Sequence, residues 1–346
     1  MKLAAALQRD NNNLDLFRLI AACMVIYGHA FALAPGGSTQ DFVGSTLGFD
    51  YSGSLAVKIF FFLSGLVVTN SLIEKGDPLR FVIARVFRIW PAFLVVVPAS
   101  ALILGPLMSN LPPSDYFGHP DTFRYIRRNA LMNIQFMLPG VFEDNPYKGA
   151  VNGSLWSIPL EVGAYIVLLG LFMLGVLKSR LLALGIFLLI ALDPLVGNRL
   201  LFTWLGEPEL KLLPPCFAFG AILALYKDHI RVDARAILGA WLLYYLFRHS
   251  AHNFYFFYAA LFLSIVHLAT TTTALRLRPK ADISYGVYLW GFPVQQVMAH
   301  HFAAHGVVAN QLLSLGVTLL LGLASWHLVE KRCIALGGTL TRRWAN

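Results

Sequence analysis

Leu14-Asp15-Leu16-Phe17-Arg18-Leu19-Ile20-Ala21-Ala22-Cys23-Met24-Val25-Ile26-Tyr27-Gly28-His29-Ala30-Phe31-Ala32-Leu33 is an apolar stretch interrupted by three side chains that can carry full charge near neutral pH, Asp15, Arg18 and His29. About twenty such residues form a helix long enough to cross a hydrocarbon core roughly 30 Å thick. The stretch runs into Ala32-Leu33-Ala34, which imitates a signal-peptidase site, but Pro35 follows directly and Arg18 and His29 lie inside it. It therefore reads as a retained first transmembrane helix.

Outward from this stretch, apolar runs recur as far as Val329 with short polar connections. The 346 residues are 57% hydrophobic and 13% charged, whereas a soluble domain is about a quarter charged. Only helices fit runs of this length and pattern. The expected fold is all-α, a polytopic transmembrane helix bundle with about ten crossings near 14–34, 54–73, 88–108, 155–177, 181–196, 212–226, 235–248, 254–272, 282–301 and 310–329. An even number places both termini on one side, and about two thirds of the 27 lysines and arginines fall there, which makes both termini cytoplasmic.

Residues 1–346 read as a single integral-membrane domain with no fused extracytoplasmic domain. The longest connection, 109–153, is an outer loop in which Arg124, Arg127 and Arg128 alternate with Tyr125, Ile126, Leu131 and Met132. That pattern predicts an amphipathic helix lying at the outer interface. The net charge of +9 is spread in short clusters between apolar runs, so topology explains it and nucleic acid does not. Cys23, Cys216 and Cys333 are too scattered for a disulfide framework or a metal site, and no metal is expected.

Charge inside a span is costly, so each instance is a functional candidate. Arg18 and His29 are eleven residues apart, close to three helical turns, and so lie about 16 Å apart along one face. In the fourth helix Ser154, Ser157, Glu161 and Tyr165 repeat at helical spacing below Asn152 and Trp156. Depth counting at about 1.5 Å per residue brings Glu161 and His29 to a similar level. A carboxylate beside an imidazole orients the ring and raises its basicity, as a general base acting on a hydroxyl requires. Pro159 is expected to free a carbonyl above Glu161 and bend that helix. Ser284, Tyr288, Gly291 and Gln295 form a further polar stripe, and Arg85 and Arg88 are neighbours at the inner end of the third helix, where they can hold phosphates.

These residues resemble the acyltransferase 3 family of bacterial membrane O-acyltransferases. The resemblance runs in order through Leu14 to Arg18 with Tyr27-Gly28-His29, Phe60 to Gly65, Arg85-Val86-Phe87-Arg88-Ile89-Trp90-Pro91, Asn152 to Ser157 with Glu161, Ile283 to Trp290, and Trp326 to Lys331. Members often carry a histidine after the Tyr-Leu-Trp string, where this chain has Gly291. The resemblance implies transfer of an acyl group, usually acetyl from acetyl-CoA, to a hydroxyl of an extracytoplasmic or lipid-linked carbohydrate such as O-antigen or another surface polysaccharide, at the bacterial inner membrane. The implied partners are an acyl-CoA donor, a carbohydrate acceptor and membrane lipid. On this reading His29 is general base or acyl-carrying nucleophile with Glu161 beside it, Arg18, Arg85 and Arg88 hold the donor, and Asn152, Trp156, Ser157 and Tyr288 meet the substrate. The competing class is a multi-pass transporter or flippase, which also needs intramembrane charge but is usually built from paired repeats, and none is visible.

Overall fold

A computed structural model of the protein describes residues 1–34, 40–196, 201 and 210–344, with Pro35 outside them. Among the described residues there is no strand, only the isolated bridges Lys2 to Arg231, Ser109 to Val141 and Met137 to Ala150. Each predicted stretch is helical. In chain order the main helices are α1 (Leu14–Leu33), α2 (Ser52–Lys75), α3 (Pro78–Ala99), α4 (Pro120–Ala130), α5 (Ser157–Met173), α6 (Arg180–Leu192), α7 (Leu213–Leu225), α8 (Ala234–Phe247), α9 (Asn253–Leu268), α10 (Ser284–Phe302), α11 (Gly306–Ser325) and α12 (Lys331–Trp344). Among the described residues, five continuous helical segments are long and apolar enough to cross a membrane, and α7, α8 and α9 are shorter apolar helices.

Two boundaries differ from expectation for physical reasons. Helix α3 begins at Pro78 rather than near residue 88, so Arg80, Arg85 and Arg88 are helical. Their long apolar stems can lie along the helix while the charged heads reach polar surroundings, so arginines near a helix end need not mark a loop. The fourth expected crossing starts with a 3-10 turn, Gly153–Trp156, whose leading residue Asn152 accepts from the Ser154 N–H through its side chain. Pro159 then falls in the first turn of α5, where its missing N–H has no intrahelical partner to lose, so it is a helix starter and not the expected bend.

The chain divides into two compact units, three of whose five boundaries fall inside α1, α2 and α5. Unit 1 comprises Met1–Ala21, Ser54–Asp77 and Ala164–Lys280. Its tightest crossing is between α2 and α7: a Cβ on Gly65 would sit 2.1 Å from the Phe217 carbonyl oxygen, and one on Gly220 would sit 2.3 Å from that of Phe62. Glycine is required there because the two backbones touch, the small-residue packing that suits helices in lipid. Phe62 and Phe262 stack with centroids 4.2 Å apart. Lys58 is buried in α2 and donates to Ser54 Oγ at 2.6 Å.

Unit 2 comprises Ala22–Gly53, Pro78–Gly163 and Ala281–Asn346. Helices α10 and α11 form a hairpin around Gly306, and α12 returns along α3 with Gly337 against the Phe87 ring. The hairpin is joined by buried amides: Gln295 Nε2 donates to Asn310 Oδ1 at 3.2 Å and to the Ile26 carbonyl at 2.7 Å, and Asn310 Nδ2 donates to the Gln295 carbonyl at 2.9 Å. The loop after α4 is tied to α10 by Gln296 and Asn145, which hydrogen-bond to each other and to neighbouring carbonyls. The predicted amphipathic helix exists as α4, with Phe123, Arg124, Arg127 and Arg128 exposed and Tyr125 buried.

Candidate active site

The upper half of α1 approaches the first residues of α2 because two glycines face each other. A Cβ on Gly28 would lie 2.7 Å from the Gly53 nitrogen, and one on Gly53 would lie 3.5 Å from His29 Cδ2. Asp41 fixes this approach. Its Oδ1 accepts the Gly44 N–H at 2.7 Å and its Oδ2 accepts the Ser52 N–H at 2.7 Å, so one buried carboxylate caps the short helix Phe42–Leu47 and the start of α2 together. The His29 ring is then held edge-on to Phe292 of α10, with centroids 5.4 Å apart at 78°. Its Nδ1 is shielded from solvent and has no hydrogen-bond partner among the described residues.

Phe292 also closes against Gly153, where a Cβ would come within 2.5 Å of the ring. This contact sets the 3-10 turn of residues 153–156 beside His29's ring neighbour. Asn152 Nδ2 donates to the Leu289 carbonyl at 2.9 Å. The Tyr288 hydroxyl donates to the Ser154 carbonyl at 2.8 Å and stands 2.6 Å from Ser157 Oγ, which is left to donate to it. The side-chain hydroxyl of Ser154 is buried without a partner among the described residues. Glu161 lies one turn below Ser157 on α5, near enough to Tyr285 and Tyr288 to act on both electrostatically. Trp156 is half-buried in the same turn.

The sequence pattern behind this geometry matches the family described as an acyltransferase domain over residues 11–327. The chain belongs to this acyltransferase family. It is 30% identical over 339 residues to an O-acetyl transferase of Shigella phage Sf6, covering 93% of this chain and 96% of that one. It is 26% identical over 369 residues to nodulation protein 10 of Rhizobium leguminosarum bv. viciae, covering 96% of this chain and 95% of that one. No solved structure matches it. The apolar helices and the family together make the acyltransferase a multi-pass membrane protein.

Of the residues predicted for its site, His29, Arg85, Arg88, Asn152, Trp156, Ser157, Glu161 and Tyr288 belong to unit 2, and Arg18 belongs to unit 1, where it meets Asp15 at 3.3 Å. Arg88 already has two carboxylate partners. Its Nη2 reaches Asp282 Oδ2 at 2.8 Å and its Nη1 reaches Glu330 Oε2 at 2.9 Å, while its guanidinium lies 5.6 Å from the Tyr285 ring centroid. Glu330 is delivered by a π-helical turn, Trp326–Glu330, and its Oε1 accepts from Ser325 Oγ at 2.8 Å. Such a turn inside a helix is a recurrent sign of a functional position. At Gly291 an added Cβ would lie 3.1 Å from Ile26 Cγ1. Ile26, on the same helix as His29, packs against this glycine.

Sequence reasoning missed Asp41, Asp282 and the Asn145 and Gln296 pair. Asp41 carries a local signal, an aspartate three residues before Gly44 at a helix start. Asp282 has only the nearby Ser284 hydroxyl as a local partner, and the contacts that matter most are 194 residues away for Asp282 and 151 for Asn145.

Proposed function

We propose that this acyltransferase is an O-acetyltransferase that moves acetyl from cytoplasmic acetyl-CoA to a hydroxyl of an extracytoplasmic or lipid-linked carbohydrate, with O-antigen or another surface polysaccharide as the acceptor. It sits in the bacterial cytoplasmic membrane with ten crossings and both termini inside. The single observation that carries the chemistry is His29: a ring fixed by Phe292 with a shielded Nδ1 that has no partner among the described residues. A buried nitrogen left unsatisfied costs stability, and such groups persist where a reaction uses them. The similarity to a phage O-acetyl transferase over nearly the whole of both chains supports the transferred group.

His29 removes the proton of the acceptor hydroxyl, and the alkoxide oxygen forms an ester bond to the acetyl carbonyl carbon. The carbon–sulfur bond breaks, coenzyme A leaves as thiolate, and the imidazolium returns the proton to sulfur. The carboxylate of Glu161 supports the imidazolium through its field. Tyr288 turns its hydroxyl proton from the Ser154 carbonyl to the thioester carbonyl and polarises it, while Ser157 continues to donate to the Tyr288 oxygen. Arg85 holds the phosphates of the donor at the inner face. Arg88 joins it by exchanging Asp282 for phosphate while Glu330 retains it.

Purified protein in liposomes with labelled acetyl-CoA tests the reading. Acetyl transfer to added glycan, or slow thioester hydrolysis without it, is expected. Solute uptake with no acyl chemistry would replace the enzyme by a transporter.

A further inference from the structure

The loop between α3 and α5 holds a cleft of about 630 Å³ that the chemistry above does not use. This volume lies within the range of small-molecule sites, roughly 300–1,000 Å³. One wall is α4, which contributes Asp121, Arg124 and Arg128, and the other is the segment from Ile134 to Gly140 with Glu143. The cleft is built rather than incidental. Asn129 is fully buried and staples the two walls, donating to the carbonyls of Tyr125 and Gln135 at 2.9 and 3.1 Å and accepting the Gln135 N–H at 3.1 Å. Ser109 Oγ holds the Pro139 carbonyl at 2.7 Å from below. Met132 and Phe142, at either end of the second wall, adopt φ of 60° and 56°. Left-handed backbone at non-glycine residues is costly and concentrates at functional sites.

The second wall of the cleft is joined through packed residues to the surroundings of His29. Phe136, in the second wall, accepts the Val151 N–H at 2.7 Å, and Met137 bridges Ala150. Ala150 packs with Leu33 and with Phe292, the ring that holds His29. The charges in the lining decide what fits. Two arginines are balanced by Asp121 and Glu143, and Arg124 is paired with Asp121. Arg128 and Glu143 make no ion pair among the described residues. A phosphate or carboxylate ligand would meet two carboxylates as well as the two guanidiniums. A neutral sugar hydroxyl donates and accepts at once, so it is satisfied by a guanidinium on one side and a carboxylate on the other, with Gln135 beside them. The apolar face of a sugar ring matches Phe136 and Leu138.

We infer that this cleft is the acceptor's saccharide subsite, taking one or two uncharged sugar units and presenting the adjoining hydroxyl toward His29. The inference rests on the carbohydrate reading above. The test is hydrogen exchange of residues 119–143 in the full chain in lipid nanodiscs. The probes are free hexoses, 6-deoxyhexoses and their disaccharides, with glucuronic acid and inorganic pyrophosphate as anionic controls. At least one neutral saccharide should slow exchange in this segment several-fold, and Glu143→Gln or Arg128→Gln should raise its half-saturating concentration about tenfold. Arg128→Lys, which keeps the charge but loses the planar fork, should fall between. Protection by no neutral saccharide, protection by the anions alone, or tighter binding in Glu143→Gln would each overturn the proposal. Acetyl-CoA hydrolysis by the unmodified protein in the same discs separates the two readings. Hydrolysis without saccharide protection removes the cleft alone, and protection without acyl chemistry removes the enzymatic reading and leaves the cleft.

Discussion

His29 and Gln296 are polar side chains of the same unit and end up in opposite states. Gln296 is fully buried, and its amide donates to the carbonyls of Tyr147 and Ala150 at 2.9 and 2.7 Å and accepts from Asn145 at 2.8 Å. His29 packs edge-on against Phe292 and leaves Nδ1 without a partner among the described residues. A satisfied amide network fixes structure, because removing any member strands the others. An imidazole restrained by shape, with a nitrogen left over, is available for proton transfer. The difference separates what holds the loop from what acts on a substrate.

The largest effect should break that comparison at His29. His29→Ala is expected to lower acetyl transfer by about 10²–10⁴, the span usual for loss of a general base, with the thermal midpoint in detergent unchanged. A variant that melts early while each folded molecule retains activity would put His29 with Gln296 among the structural groups. Arg88 comes next. Removing its guanidinium strands Glu330, which is 1% exposed, and a buried pair broken on one side costs roughly 3–5 kcal/mol. Arg88→Ala should therefore lose stability, and Arg88→Met with Glu330→Gln should recover most of it. If the recovered double variant also binds acetyl-CoA as the parent does, Arg88 is a structural tie and not a donor ligand. Gln296→Leu follows at roughly 2–3 kcal/mol, from carbonyls and the Asn145 amide left without partners. Protease cutting within residues 141–151 at unchanged acetyl-CoA hydrolysis would show the loop loosened without harm to the chemistry.

How much of this was legible follows from the solvent. In lipid, run length and apolar pattern dominate, so α1, α2, α5 and α10 could be located within a few residues from sequence, and the alternation around Arg124 to Arg128 was enough to find α4. Periodicity also placed Ser157 and Tyr288 on polar stripes that the structure brings together at 2.6 Å. The start of α3 was misplaced because Arg80, Arg85 and Arg88 look like a loop cluster when their neighbours cannot be seen. Arg88 becomes intelligible only with Asp282 and Glu330, 194 and 242 residues away. No local rule encodes such pairs. The cleft beside α4 was hidden for the same reason, since its second wall takes its shape from Asn129 and from two residues at positive φ.

The smallest effect lies at the far end of the same scale, in unit 1. Asp233 precedes α8 and is a solvent-facing carboxylate whose Oδ1 accepts the Ala236 N–H at 3.0 Å. That backbone hydrogen bond holds its acidity below the usual aspartate value. Because the folded state favours the charged form, the stabilisation is complete above the unfolded pKa and disappears as pH falls through the lower folded one. Asparagine caps a helix as well as aspartate but does not titrate. Asp233→Asn should leave amide exchange at the start of α8 unchanged at neutral pH and remove its acceleration in acid. If the first turn of α8 frays with falling pH equally in both proteins, a different group drives the change, and Asp233 joins Gln296 as a polar contact whose role does not depend on charge.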